Sequence, residues 1–224
     1  MSHLQVPEFR LHHEEQLEIY YVPFDYLNER ARIVLIGITP GHNQMLLAYG
    51  AVRQALAEGC SPLEACQAAD REASFAGSMR TNLVTMLDGL GVPAALGIKS
   101  ATQLFDDRAD LAHTTSAIRD AVFVDGKNYT GHTPRISETP VLRHYVTSLL
   151  AEEVARVERA LLVPLGAAVS PALQILVDQR LVDPARCLFG FPHPSGANGH
   201  RARHYAERRA SLKRQTDRWF RETA

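Results

Sequence analysis

At 224 residues, 46% hydrophobic and 22% charged, the chain has the make-up of an ordinary globular protein of one domain or at most two small ones. No run of 18 apolar residues occurs, which excludes a transmembrane helix, and Met1-Ser-His-Leu-Gln-Val-Pro-Glu8 lacks the basic-then-apolar pattern of a signal peptide. A net charge of −1 gives no global pull toward nucleic acid, while three cysteines without motif spacing exclude an all-cysteine iron–sulfur cluster and suggest buried thiols in a reducing cytoplasm.

Residues 1–31 are polar with scattered aromatics and read as an irregular or helical lead-in. Ala31-Arg-Ile-Val-Leu-Ile36 is a short β-branched apolar run that stops at Gly37, the pattern of a central parallel strand. Gly37-Ile-Thr-Pro-Gly41 then forms a turn. From about 43 to 58, Met45, Leu46, Tyr49, Val52, Ala55 and Leu56 recur at helical spacing, and Gly59 ends the run. Ser61-Pro-Leu-Glu64 is a capping box that opens a second helix, and Ser74-Phe-Ala-Gly77 breaks it. Residues 78–90 predict a third helix, with Gly91 just past its end.

A second strand lies within Ser116–Val124, its register left open, and Asp125–Gly131 carries turn chemistry. Thr139-Pro140 starts a helix that runs to about 155. Arg159–Leu165 predicts a third strand with Pro164 at its end, because proline cannot donate to a ladder. Ser170-Pro171 caps another helix, and Ala185–Gly190 predicts a fourth strand. Strands alternating with helices imply a parallel sheet covered on both faces, in a single domain over 1–224 with a helical insertion at about 42–73.

Two loops stand where a strand gives way to a helix, the edge at which open α/β sheets bind ligands. The first is Gly37–Gly41, whose glycines permit close backbone approach. It has neither a P-loop lysine nor Gly-x-Gly-x-x-Gly. The second is Phe191-Pro-His-Pro-Ser-Gly-Ala-Asn-Gly-His-Arg201, in which two prolines stiffen the backbone around His193. A histidine there can donate to a developing oxyanion, and it can equally be a core residue. His193, His200 and His204 lack the glutamate of His-Glu-x-x-His, so no metal is expected, and Ser195 is not in Gly-x-Ser-x-Gly. Phe75, at a helix break, is either core or a stacking surface for a flat ring. The tail from Arg201 carries eight basic side chains against three acidic ones, a solvated face or a local phosphate contact.

Taken in order, these pieces resemble the uracil-DNA glycosylase superfamily. Gly37-Ile-Thr-Pro-Gly41 is similar to its first motif and His193-Pro-Ser-Gly196 to its second. Ser74-Phe-Ala-Gly77 with the following helix, and Val163-Pro-Leu-Gly166, resemble the segments between them. The resemblance covers about 32–200. It implies a three-layer α/β/α sandwich around a central four-stranded parallel sheet. It also implies a flipped, damaged base such as uracil and hydrolysis of its N-glycosidic bond, with DNA or a nucleobase as partner and no cofactor or metal.

Carried over residue by residue, Phe75 would stack on the base and His193 would stabilise negative charge on the leaving base. Gly37, Ile38, Thr39, Pro40 and Gly41 would shape the pocket floor and the water site. Ser195, Gly196 and Asn198 would touch phosphate or the minor groove, with Arg201 beside them. The asparagine that reads uracil in many members has no clear match; Thr114, Thr115 and Ser116 stand near its place, and Asn128 lies further on. Members carry aspartate or asparagine at the third position of the first motif, or glutamate at the second. Here those positions are Thr39 and Ile38, so Asp70 or Glu72 would have to supply an acid. Ala197 and Asn198 stand where a bulky wedge is usual, which predicts weak duplex invasion. The first functional expectation is a DNA-base glycosylase. The alternatives are a diverged or non-catalytic member that binds a nucleobase, nucleotide or modified DNA, and a small-molecule hydrolase on the same scaffold.

Overall fold

The computed structural model describes residues 7–223. The signal-peptide reading rests on residues 1–8, most of which lie outside that range.

The described chain opens on a hairpin. β1 (Arg10–Glu14) turns at Glu15, which takes a φ of 51°, and pairs antiparallel with β2 (Leu17–Tyr20). This corrects the expected irregular or helical lead-in. Only Leu17 and Ile19 carry the two-residue alternation, too short a signal to see without the partner strand.

β3 (Ile33–Gly37) is buried along its whole length. Its side chains alternate between two cores, as a strand covered on both faces requires. Val34 and Ile36 face Leu142, Val146, Val154 and Leu173, while Ile33 and Leu35 face Leu83, Leu87, Leu212 and Phe220. α1 (His42–Ala57) and α2 (Pro62–Ala73) then pack on each other as a helical hairpin. The capping box forms as read: the Glu64 N–H donates to Ser61 Oγ at 3.4 Å, and the Ser61 N–H donates to Glu64 Oε2 at 2.8 Å. α3 (Ser78–Leu90) ends at Gly91, whose φ of 82° suits glycine, and α4 (Val92–Leu96) follows.

β4 (Ala112–Ser116), β5 (Ala121–Val124) and the short β6 (Lys127–Asn128) come next. The expected 140–155 helix is α5 (Pro140–His144), a π-helical stretch over Tyr145–Leu150 and α6 (Ala151–Ala155). β7 (Leu161–Pro164) ends on its proline as anticipated. α7 (Ser170–Asp178) and the long α8 (Arg201–Glu222) complete the chain.

The expectation of one central four-stranded parallel sheet is corrected. The parallel sheet has three strands in the order β4-β3-β7, and a separate four-stranded antiparallel sheet runs β1-β2-β5-β6. Two local features account for the difference. Pro184–Arg186 coils into a 3-10 turn, so the expected strand at 185–190 contributes only a bridge between Cys187 and Leu162. The apolar run around 116–124 serves both sheets. Ser116 ends β4, Ala117 and Ile118 donate to the carbonyls of Gly37 and Ile38, and β5 then joins the antiparallel sheet. Tyr20 and Phe123 of that sheet pack against Met45, Ala48 and Ala69 of the α1–α2 hairpin in a third core.

Candidate functional site

The carboxyl ends of the three parallel strands lie side by side. Gly37 pairs with Ser116 on one side, and Ile36 pairs with Pro164 on the other. Gly37 is small for a reason: a Cβ there would stand 3.3 Å from Phe75 Cε1 and 3.1 Å from Ser116 Oγ. The phenyl ring thus rests on the bare end of the central strand. Phe75 is buried and adopts a φ of 52°, uncommon for a bulky residue and costing on the order of 1–3 kcal/mol.

Arg80 holds the break between α2 and α3 that imposes this backbone. Its guanidinium donates to the carbonyls of Arg71, Glu72 and Ser74 at 2.8, 3.1 and 2.7 Å, and it stacks 4.9 Å over the Phe105 ring. Ser74 Oγ lies 2.8 Å from Thr114 Oγ1. Around Phe75 a narrow cleft, with room for about one water molecule as it stands, is lined by Pro40, Ser74, Thr114, Thr115 and Ser116, together with Phe24, Gln44 and Arg119. Phe75, Gly37 and Pro40 therefore lie together, and the Thr114–Ser116 hydroxyls supply polar edges.

Thr39 is placed differently. Its hydroxyl donates to the Asp120 carbonyl at 2.7 Å and accepts from the Val122 N–H at 3.0 Å, which leaves it no proton to give. Asn128 likewise stands away from the cleft lining. Its Oδ1 accepts from the His42 N–H at 3.0 Å at the start of α1, and its side chain lies against Gly41. Ile38 turns its side chain to Gly131 and the core behind the sheet. These three residues shape the first loop from behind.

His193 sits beside the end of β7. Gly166, at a φ of 100°, lets it approach so closely that an added Cβ would stand 2.8 Å from His193 Cβ. Strand spacing puts the two loops about 10 Å apart along the sheet edge. The Ser195 N–H donates to His193 Nδ1 at 3.2 Å, so Nδ1 is unprotonated in that bond and the neutral ring carries its proton on Nε2. Burial pushes the pKa of His193 down, which keeps the ring neutral.

The rest of the loop is braced from within. Asn82 Nδ2 donates to the Pro194 carbonyl at 2.9 Å, Asn198 Nδ2 to the His193 carbonyl at 3.2 Å, and Arg201 Nη1 to the Ser195 carbonyl at 2.6 Å. Ser195 Oγ accepts from the Ala197 N–H at 3.2 Å, and Gly196 seats against Ser78 at the start of α3. Ser195, Asn198 and Arg201, expected to touch DNA, spend these groups on holding the loop.

Of the two acids considered, Glu72 is exposed. Asp70 faces a neighbouring pocket with Tyr26, His113 and Thr114, sharing only Thr114 with the Phe75 cleft. Asp70 Oδ1 is enclosed and has no hydrogen-bond partner among the described residues. Burial, then the charges of Glu153 and Asp25, hold its carboxyl well above the usual range. Among the described residues no group of three or more His, Cys, Asp or Glu side chains is arranged to hold a metal.

Two residues of consequence were missed in the sequence. Asp120 takes the Val22 N–H on Oδ1 at 3.0 Å and the Tyr145 hydroxyl on Oδ2 at 2.8 Å, directly behind Thr39. A lone acid inside the apolar run 117–124 was the available signal, since a buried carboxylate needs such partners. Arg80 had no comparable signal, because its partners are backbone carbonyls.

Fold and cleft together define an α/β protein with a hydroxyl-lined cleft at the carboxyl edge of a short parallel sheet. The chain is 43% identical over 216 residues to YoxB of Bacillus subtilis (strain 168), itself described as uncharacterized, and the match covers 96% of this chain and 84% of that one. The chain belongs to the YoxB family. No family model matches it, and no solved structure matches it. Among the described residues no helix is long and apolar enough to cross a membrane.

Proposed function

We propose that the chain is a diverged relative of the uracil-DNA glycosylases that recognises a nucleobase, presented by DNA, in the Phe75 cleft. One observation carries this reading. Phe75 rests on the bare backbone of Gly37 while Ser74, Thr114, Thr115 and Ser116 line the same cleft. A flat heterocycle needs an aromatic surface and groups that can both donate and accept at its edges. Recognition without hydrolysis is the preferred form. The residues lining the cleft offer hydroxyls, an amide and the Arg119 guanidinium rather than a carboxylate base, and the Thr39 hydroxyl is spent on the backbone. The three free cysteines support a reducing cytoplasm as the compartment.

A second reading, base excision, is favoured by His193. Its neutral ring carries a proton on Nε2, suited to negative charge developing on a leaving base. One experiment separates the two. Oligonucleotides bearing uracil (single-stranded, or opposite G or A), hypoxanthine or xanthine are titrated with protein, then assayed for abasic sites at stoichiometric protein.

The expected outcome is preferential binding to one modified base, weakened about tenfold in both His193→Ala and Ser116→Val, with no abasic product. Abasic product that disappears in His193→Ala would replace this reading by the hydrolase. Turnover of a free nucleoside without DNA affinity would point to a small-molecule enzyme. Folded protein with no affinity for any member of the panel would overturn the proposal.

A further inference from the structure

α8 carries seven arginines and one lysine against three acids, in a chain whose formal net charge is −1. Its buried residues are Leu212, Thr216 and Phe220, with Tyr205 and Trp219 packed beside them on the core against α3. At 3.6 residues per turn, Arg203, Arg214, Arg218 and Arg221 fall within about 60° of arc, on the side of the helix opposite that apolar face. All four are exposed.

The other cations of the helix are occupied by the body of the protein. Arg201 donates to the Ser195 carbonyl, Arg208 to that of Gly190 and Arg209 to that of Gly89, and Lys213 pairs with Asp217. On the outer stripe, Arg203 has a loose partner in Glu207 at 3.7 Å, and Arg221 uses only Nε, on the Asp217 carbonyl. Arg214 and Arg218 have no hydrogen bond or ion pair among the described residues, and with Ser211, Gln215, Arg221 and the Lys213-paired Asp217 they line a shallow groove.

The helix also has a direction. It starts against the His193 loop through Arg201 and ends where Arg32 Nη2 and Arg159 Nη2, just ahead of β3 and β7, donate to the Thr223 carbonyl at 3.1 and 3.0 Å. The stripe therefore runs along the sheet from its carboxyl edge to its amino edge. From Arg203 to Arg221 it spans about 27 Å at 1.5 Å per residue.

We propose that this outer stripe of α8 is a docking surface for a nucleic-acid phosphate backbone, separate from the base cleft. A merely solvated face normally interleaves both signs and favours lysine and glutamate. On this one four arginines face one acid within the arc, Glu207, and the planar fork of arginine matches phosphate oxygens. The stripe is as long as about eight base pairs at 3.4 Å per step. A membrane surface fits less well, because the apolar side of α8 is buried in the protein and none is left to enter lipid. The choice of partner rests on the nucleobase reading above; the stripe itself needs no modified base.

The test is fluorescence anisotropy with an unmodified duplex of about 30 base pairs, at salt from about 50 to 200 mM. Wild-type protein should bind, with affinity falling steeply as salt rises. The combined variant Arg214→Gln, Arg218→Gln and Arg221→Gln should bind at least tenfold more weakly at low salt. Its log–log salt slope should be shallower by roughly 2–3. These side chains point away from the core, so unchanged melting of the variant confirms folding.

Equal affinity and equal slope for variant and wild type would overturn the proposal, as would binding to vesicles of phosphatidylglycerol but not to the duplex. The two proposals fail separately. Loss of modified-base preference with unmodified duplex binding intact sinks the base cleft alone.

Discussion

Asp70 is the residue most at odds with its surroundings. Its Oδ1 is enclosed without a partner, and burial, together with Glu153 and Asp25, raises the pKa of its carboxyl. His113, already bonded to Glu153, and Arg71 also line its pocket, and neither hydrogen-bonds it. A carboxyl with a raised folded-state pKa binds its proton more tightly when folded. Its contribution to stability is whole below the unfolded pKa of about 3.9 and is lost as pH rises through the folded value. Asp70→Asn removes that loss. It should raise stability by about 1 kcal/mol near pH 8 and by little near pH 4. Melting temperatures at the two pH values check this, and a drop near pH 8 would show that Asp70 has a partner in solution.

At the scale of elements, the cleft depends on where backbones are allowed to meet. Gly166 is the junction of β7 with the His193 loop, its N–H donating to the Phe191 carbonyl at 3.0 Å. Gly166→Ala introduces both a contact of 2.8 Å to His193 Cβ and a side chain at a φ of 100°. The expected cost is about 1–3 kcal/mol in urea denaturation, with a loss of base affinity as large as that of His193→Ala. Gly50, inside α1, is the control, because a Cβ there meets nothing within 4 Å. Gly50→Ala should stabilise by roughly 0.5–1 kcal/mol and leave binding alone.

For the whole molecule, the Thr39–Asp120 node ties separate layers together. Thr39 follows the parallel sheet, Val122 belongs to the antiparallel one, and the Asp120 carboxylate adds Val22 and the π-helical Tyr145. Burial raises the pKa of Asp120, and its two hydrogen bonds act against that. Thr39→Val leaves the Val122 N–H and the Asp120 carbonyl without their bonds. It should cost about 2–3 kcal/mol, while Thr39→Ser, which keeps the hydroxyl, should cost less than about 1 kcal/mol. Denaturant midpoints of the two variants decide it. Equal losses would mean that the methyl group, not the hydroxyl, holds the node.

Local signals were enough to find β3, the Ser61 capping box, α3 with its glycine stop, and β7 with its terminal proline. Each rests on periodicity, capping or a glycine within a few residues. Tertiary pairing decided the rest. Whether 117–124 continued a parallel strand or crossed to a second sheet depended on β2, a hairpin with too little alternation of its own. Whether 185–190 became a strand depended on the turn at Pro184. The duty of Thr39 was set by a residue 81 positions away, which no local pattern encodes. The sequence by itself determined β3, β7, the main helices and the two loops at one edge of the sheet. Only the folded structure decided which polar groups at that edge are already bonded to the protein and which remain for a ligand. Hydrogen bonds are settled by distance in space, and distance in space is what a one-dimensional pattern leaves out.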